Sequence, residues 1–147
     1  MKRFSFRLDN ILNYRNYLEK KAQRDLLDVR NQCMGRENRV KRLAGKRIDS
    51  IIQCRDEAMK GLDVSMYKIY QVFLQKLDHD LERAQMDLQE EEKKVKAQEK
   101  ILKAESIKKK ALEILKDLQL KDYMKRLEQE EQKYMDEMVI IRRGEKA

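Results

Sequence analysis

The sequence predicts an all-α protein: two long helices folded into an antiparallel coiled-coil hairpin, the C-terminal helix overhanging the first. Three observations carry this fold class. Leu74, Leu81, Leu88, Val95 and Leu102 recur at every seventh residue, and an apolar position held that long marks one continuous helix with a narrow seam. The 147 residues include no proline and four glycines, and 42% are charged against 6% aromatic, so the turns and thick core of a globular domain are missing. Only the stretch Lys60-Gly61-Leu62-Asp63-Val64-Ser65 combines a helix stop with a helix start. High charge with few aromatics also describes disordered chains, but the sustained heptads argue against disorder.

At the N-terminus, Phe4-Ser5-Phe6-Arg7-Leu8 holds two of the three phenylalanines in the chain. They either staple onto the other helix or bind a partner. The first helix is expected over about residues 7–60, with its stripe through Leu8, Leu12, Ala22, Leu26, Val29, Cys33, Val40, Leu43, Ile51, Cys54 and Ala58. Arg15, Arg36 and Arg47 interrupt it, and the stripe drifts by one position towards Ala44, Ile51 and Ala58, which suits a period nearer 3.6 than 3.5 and little supercoiling. Cys33 and Cys54 lie three heptads apart on one face, about 31 Å along the helix, too far for a disulfide. They are expected as reduced seam residues.

Gly61 suits the left-handed position that ends a helix, and Asp63 or Ser65 can cap the next one, placing the turn at 61–65. The second helix is expected over about residues 66–143. Its first seam position is apolar, but the partner position reads Leu77, Ala84, Glu91, Gln98, Glu105 and then, past Lys109, Leu112. The seam is therefore expected to be weakest between Glu91 and Glu105, while Glu90–Lys94, Glu92–Lys96 and Glu99–Lys103 are spaced to pair along the helix surface.

A turn near residue 63 makes Leu8 meet roughly Leu118, and leaves the second helix longer by ~25 residues, or ~35 Å. The overhang keeps a stripe of Leu120, Met124, Leu127, Tyr134, Met138 and Ile141, interrupted by Glu131. An apolar stripe with no internal partner marks a binding surface; a shifted or frayed hairpin is the alternative.

The net charge of +8 is unevenly placed: residues 1–60 hold 16 basic and 8 acidic residues, whereas 61–119 hold 12 of each and 120–147 hold 7 of each. The densest basic patch is Arg36, Arg39, Lys41, Arg42, Lys46 and Arg47. It suits an acidic protein surface or a nucleic-acid backbone, or is a solvated helix face. Val40, Leu43 and Ala44 interleave it with no aromatic to stack on bases, which speaks against nucleic acid. Neither a signal peptide nor a membrane-length apolar run is present, since the longest run is Met138 to Ile141, so the expected location is the cytoplasm. His79 has Asp78 and Asp80 as sequence neighbours that point elsewhere on a helix, and no metal set, nucleophile with a base, or phosphate loop can be assembled. No catalytic residue, metal or cofactor is expected, and the chain reads as a non-enzyme.

The opening Phe4-Ser5-Phe6-Arg7-Leu8-Asp9-Asn10-Ile11-Leu12-Asn13-Tyr14-Arg15 resembles the start of the flagellar type III export protein FliJ family. Tyr70-Gln71-Val72-Phe73-Leu74-Gln75-Lys76-Leu77 is similar to that family's Tyr-x-x-Phe-x-x-x-Leu stretch, and Met135-Asp136-Glu137 with Arg142-Arg143 resembles its C-terminal end. The likeness spans nearly the full length, departing after Leu77, where Asp80 and Ala84 replace a small residue and a histidine. The resemblance implies a stalk similar to that of rotary ATPases. Its paired termini (Phe4, Phe6, Leu127, Tyr134, Met138 and Ile141) would enter a hexameric export ATPase ring. Tyr70, Phe73 and Leu77 would face the membrane protein of the export gate, and export chaperones would be further partners. It also implies a place at the cytoplasmic side of the membrane, held through partners. A generic coiled-coil scaffold and a basic nucleic-acid-binding coiled coil are the competing functions.

Overall fold

The computed structural model describes residues 2–145. It consists of α1, Asp9–Met59 (51 residues), and α2, Val64–Glu145 (82 residues), two helices packed as an all-α hairpin. Helix α1 starts at Asp9 rather than residue 7 because the chain first closes a turn, the Asp9 N–H donating to the Phe6 carbonyl at 3.1 Å. At the other break Gly61 has φ of 93°, the left-handed conformation that a glycine adopts without steric cost. Lys60 and Gly61 donate back to the carbonyls of Glu57 and Ala58. Because α2 opens at Val64, Ser65 lies inside the helix. The flanking position belongs to Asp63, whose carbonyl accepts from the Tyr67 N–H at 3.0 Å.

The chain divides into two compact units. One is Lys21–Leu102, which contains the turn. Its core is thin, as a two-helix seam dictates: Ala22, Leu26 and Cys54 from α1 and Leu77 and Ala84 from α2 are buried. Leu74, Leu81, Leu88, Val95 and Leu102 are half-buried along the same line. The helices run antiparallel here, as Arg30 meets Glu99 (3.3 Å), Arg36 meets Asp87 (3.8 Å) and Arg47 meets Asp78. Two of the arginines that break the first stripe thus face acids on α2.

The polar stretch of the seam behaves as its composition demands. Glu91 is buried, and its Oε2, like Oε1 of Gln98, has no hydrogen-bond partner. The surface pairs expected along this stretch do not close. Lys94 turns to Glu91 three residues back (3.5 Å) and Glu99 is taken by Arg30. The Glu91 carboxylate inside the seam offers Lys94 a less solvated partner than a neighbour on the outer surface, whereas the Arg30–Glu99 pair stays exposed.

The second unit is built from residues up to Lys20 and from Lys103 onward. Ion pairs join its two helices: Arg15–Glu105 at 3.7 Å, Glu19–Lys109 at 3.4 Å and Asp9–Lys116 at 2.9 Å. The non-helical leader lies along α2. Phe6 is buried, with the Lys116 ammonium 5.9 Å from its ring centroid. Phe4 sits 5.5 Å from the Tyr123 ring, whose hydroxyl donates to the Lys2 carbonyl at 2.8 Å. The leader extends the paired part of α2, so the bare segment is shorter than expected from helix lengths alone. From residue 128 to 145 every position is exposed.

Candidate functional site

Of the turn-side residues Tyr70, Phe73 and Leu77, only Phe73 presents an open side chain. Leu77 is 5% exposed; it falls three residues after Leu74, the second position of the seam, and is core rather than contact surface. Tyr70 is half-buried, and its hydroxyl donates to Glu57 Oε2 at 2.6 Å. That hydrogen bond, with some desolvation and the Glu57 charge, pushes the phenol up to about 12. Around Phe73 lie further exposed apolar side chains, most of which the heptad pattern misses: Met59, Val64, Tyr67, Ile69 and Val72, with Ile48 and Ile52 on α1. All but Tyr67, seven residues before Leu74, fall off the seven-residue line. Their crowding on both sides of Gly61 was the available signal.

The basic patch is mostly compensated. Arg36 and Arg39 both reach Asp87 (3.8 and 4.0 Å), Lys41 pairs with Glu37 (3.3 Å) and Arg47 with Asp78. Arg42 and Lys46 have no ion pair among the described residues. Arg42 lines a hollow of about 300 Å³ with Gln32, Gly35, Arg36, Arg39 and the buried Glu91. Nearby, burial pushes the Cys33 thiol up, with the carboxylates of Glu92, Glu37 and Glu91 adding to the shift. Cys33 is half-buried and Cys54 buried, both free. His79 is exposed. Among the described residues no group of side chains is placed to hold a metal ion, and no helix is long and apolar enough to cross a membrane.

At the termini, Phe4 and Phe6 are engaged by their own hairpin, and Phe6 offers no surface to a partner as it stands. The reason is local: the leader folds back onto α2, and Lys116 and Tyr123 cover the rings. Leu127 is half-buried and forms, with Glu130, Glu131, Tyr134 and Met135, a groove of about 460 Å³. Beyond it Tyr134, Met138 and Ile141 are exposed as their spacing predicts, and so are Met135, Val139 and Ile140. The last turns are therefore apolar on more than one face, the pattern of a helix end that is enclosed by something else.

A family model described as flagellar FliJ protein matches residues 4–146. No curated protein and no solved structure matches the chain.

Proposed function

Because the chain belongs to the flagellar FliJ family, and so is a coiled-coil component of flagellar protein export, we propose that it is the stalk of that apparatus. In this reading it couples a hexameric export ATPase to the membrane export gate and handles export chaperones, with no catalysis of its own. It works at the cytoplasmic side of the membrane, held there by its partners. The observation that carries the reading is the final segment of α2, where Tyr134, Met138 and Ile141 stand bare beside Met135, Val139 and Ile140. Leaving a large aliphatic side chain in water forgoes roughly 1.5–3 kcal/mol, so these turns are built to be covered, and the ATPase ring is the proposed cover. Leu127 and its groove form the entrance to that contact, while Phe4 and Phe6 set its geometry by pinning the leader. At the turn, Phe73 is the proposed gate contact, supported by Val72 and Ile69; Tyr70 and Leu77 hold the helices beneath it.

Changing Met138 and Ile141 together to serine tests this directly. The melting temperature should stay nearly constant, since neither side chain packs on α1, whereas binding to the ATPase and stimulation of its turnover should fall. Phe73→Ala should leave both stability and ATPase stimulation intact while reducing gate binding and motility. Full ATPase stimulation by the doubly substituted overhang would remove the ring from this end of the chain.

A further inference from the structure

We propose that the outer face of α2 between Lys103 and Leu118 is a docking site for an acidic amphipathic helix of a partner protein. Over this stretch the seam facing α1 runs through Glu105, Lys109, Leu112 and Lys116, which are half-covered, as is Ser106 beside them. A second line, Ala104, Ile107, Ala111, Ile114 and Leu118, repeats at alternating three- and four-residue steps, and all five are exposed. Ile107, Ile114 and Leu118 lie two residues from the inner seam, at about 100° per residue the far side of the helix, and Ala104 and Ala111 lie one residue from it, at the edge of that outer face. Here α2 faces α1 through mostly charged positions and carries its apolar line on the opposite side, exposed, the pattern of a helix that packs a second partner there.

The surface has the shape and charge for one. Ile107, Ala111 and Ile114, with Lys103, Ser106 and Lys110, line an open groove of about 390 Å³. The alanines leave room for a partner's larger side chains between the isoleucines. Lys103 and Lys110 border the groove, and neither has an ion pair among the described residues. The acids nearby are already engaged: Glu105 with Arg15 and Lys108, Glu113 with Lys109, and Asp117 with Lys121. An uncompensated pair of ammonium groups one heptad apart, ~10 Å along the axis, selects a helix with carboxylates at matching flank positions. A second copy of this chain is the poorer occupant. In an antiparallel pairing about Ala111 it would set Lys110 against its own counterpart, and like charges across a coiled-coil flank oppose association.

The test uses the full chain and a fluorescent synthetic peptide about three heptads long, with leucine at its seam positions and glutamate at its flanks. Fluorescence anisotropy should show binding that weakens as salt rises. Ile107→Ser with Ile114→Ser should weaken it about tenfold or more, and Lys103→Glu with Lys110→Glu should do the same. A peptide with lysine at the flanks should fail on the native chain and bind the Lys103→Glu, Lys110→Glu variant. All four positions are solvent-facing, so circular dichroism melting curves should hardly move. Binding that survives the isoleucine changes, or ignores the sign of the flanking charge, overturns the proposal. So does sedimentation showing a self-associated chain that Ile114→Ser converts to monomer, since the groove would then belong to a second copy.

Discussion

Glu91 occupies a seam position where an aliphatic residue would be expected, and it is 7% exposed with one carboxylate oxygen unpartnered. Leaving a buried polar group without a hydrogen bond costs about 1–3 kcal/mol. Glu91→Leu should therefore stabilise the hairpin by about 1–2 kcal/mol, raising the midpoint in a urea titration; its lost contact to Lys94 is long, at 3.5 Å, and the lysine end of it is solvent-exposed, so it is worth little. Leu77→Ala, seven residues from Ala84 in the same seam, should cost about 2–5 kcal/mol. A lower midpoint for Glu91→Leu would show that the carboxylate is held by Arg36, Arg39 and Arg42 across the hollow they share. Tyr70 titrates in the opposite sense from an ordinary acid in an ion pair. Its neutral hydroxyl donates to Glu57, so the folded-state phenol lies at about 12 against 10.0 in the free side chain. That contribution is whole below pH 10 and is lost as the pH rises through about 12. Ultraviolet titration should show a phenol step near pH 12, and Tyr70→Phe should remove that step.

At the scale of the elements, two glycines should respond to the same substitution with opposite signs. Gly61 has a positive φ, so Gly61→Ala strains the turn and should destabilise by about 1 kcal/mol or more. Gly35 lies inside α1, and a methyl group there would meet nothing within 4 Å. Gly35→Ala should stabilise by about 0.5–1 kcal/mol through helix propensity; thermal melts of the two variants check both signs. The Gly61 break and the seam from Leu74 to Leu102 were legible in the sequence because each rests on one local rule, a breaker between two periodic runs. The three arginines of α1 were visible only as interruptions. Their answering acids, Glu105, Asp87 and Asp78, lie on another helix, and no pattern within α1 announces them. Of the surface pairs predicted four residues apart from spacing alone, Glu99 goes to Arg30 on α1 and Lys94 to Glu91 on its own helix. Leu77 was legible both as a seam position and, by resemblance, as a contact, and Phe6 as either stapled or partner-binding; the burial of both turns on where the leader and α1 lie, which no local pattern states. Most of the bare residues around Phe73, and the line from Ala104 to Leu118, lie off the seven-residue line that carries the seam, so that period does not announce them.

For the molecule as a whole, the charge of +8 lies entirely in the surplus of residues 1–60, and its chemical meaning depends on which cations are free. Of the six basic residues from Arg36 to Arg47, Arg36, Arg39, Lys41 and Arg47 sit beside Asp87, Glu37 or Asp78. A phosphate drawn to one of these arginines meets the carboxylate as well, so the contact gains little attraction and releases little counterion. Arg42 and Lys46 remain. Binding to duplex DNA loses affinity with salt at a slope of about −0.9 per phosphate neutralised, so two free cations predict a log–log slope near −2 and six would give about −5. Salt titration of the chain on a short duplex should give the shallow slope, with weak affinity at physiological ionic strength. Asp78→Asn with Asp87→Asn should steepen it towards the larger value, because the variant unmasks Arg36, Arg39 and Arg47 without adding a cation. A steep slope in the native chain would mean that the ion pairs open freely to phosphate and that the patch is a nucleic-acid surface. A shallow slope in both chains would mean that the patch does not engage phosphate at all, leaving its basic face to an acidic protein wall such as the lining of an ATPase ring.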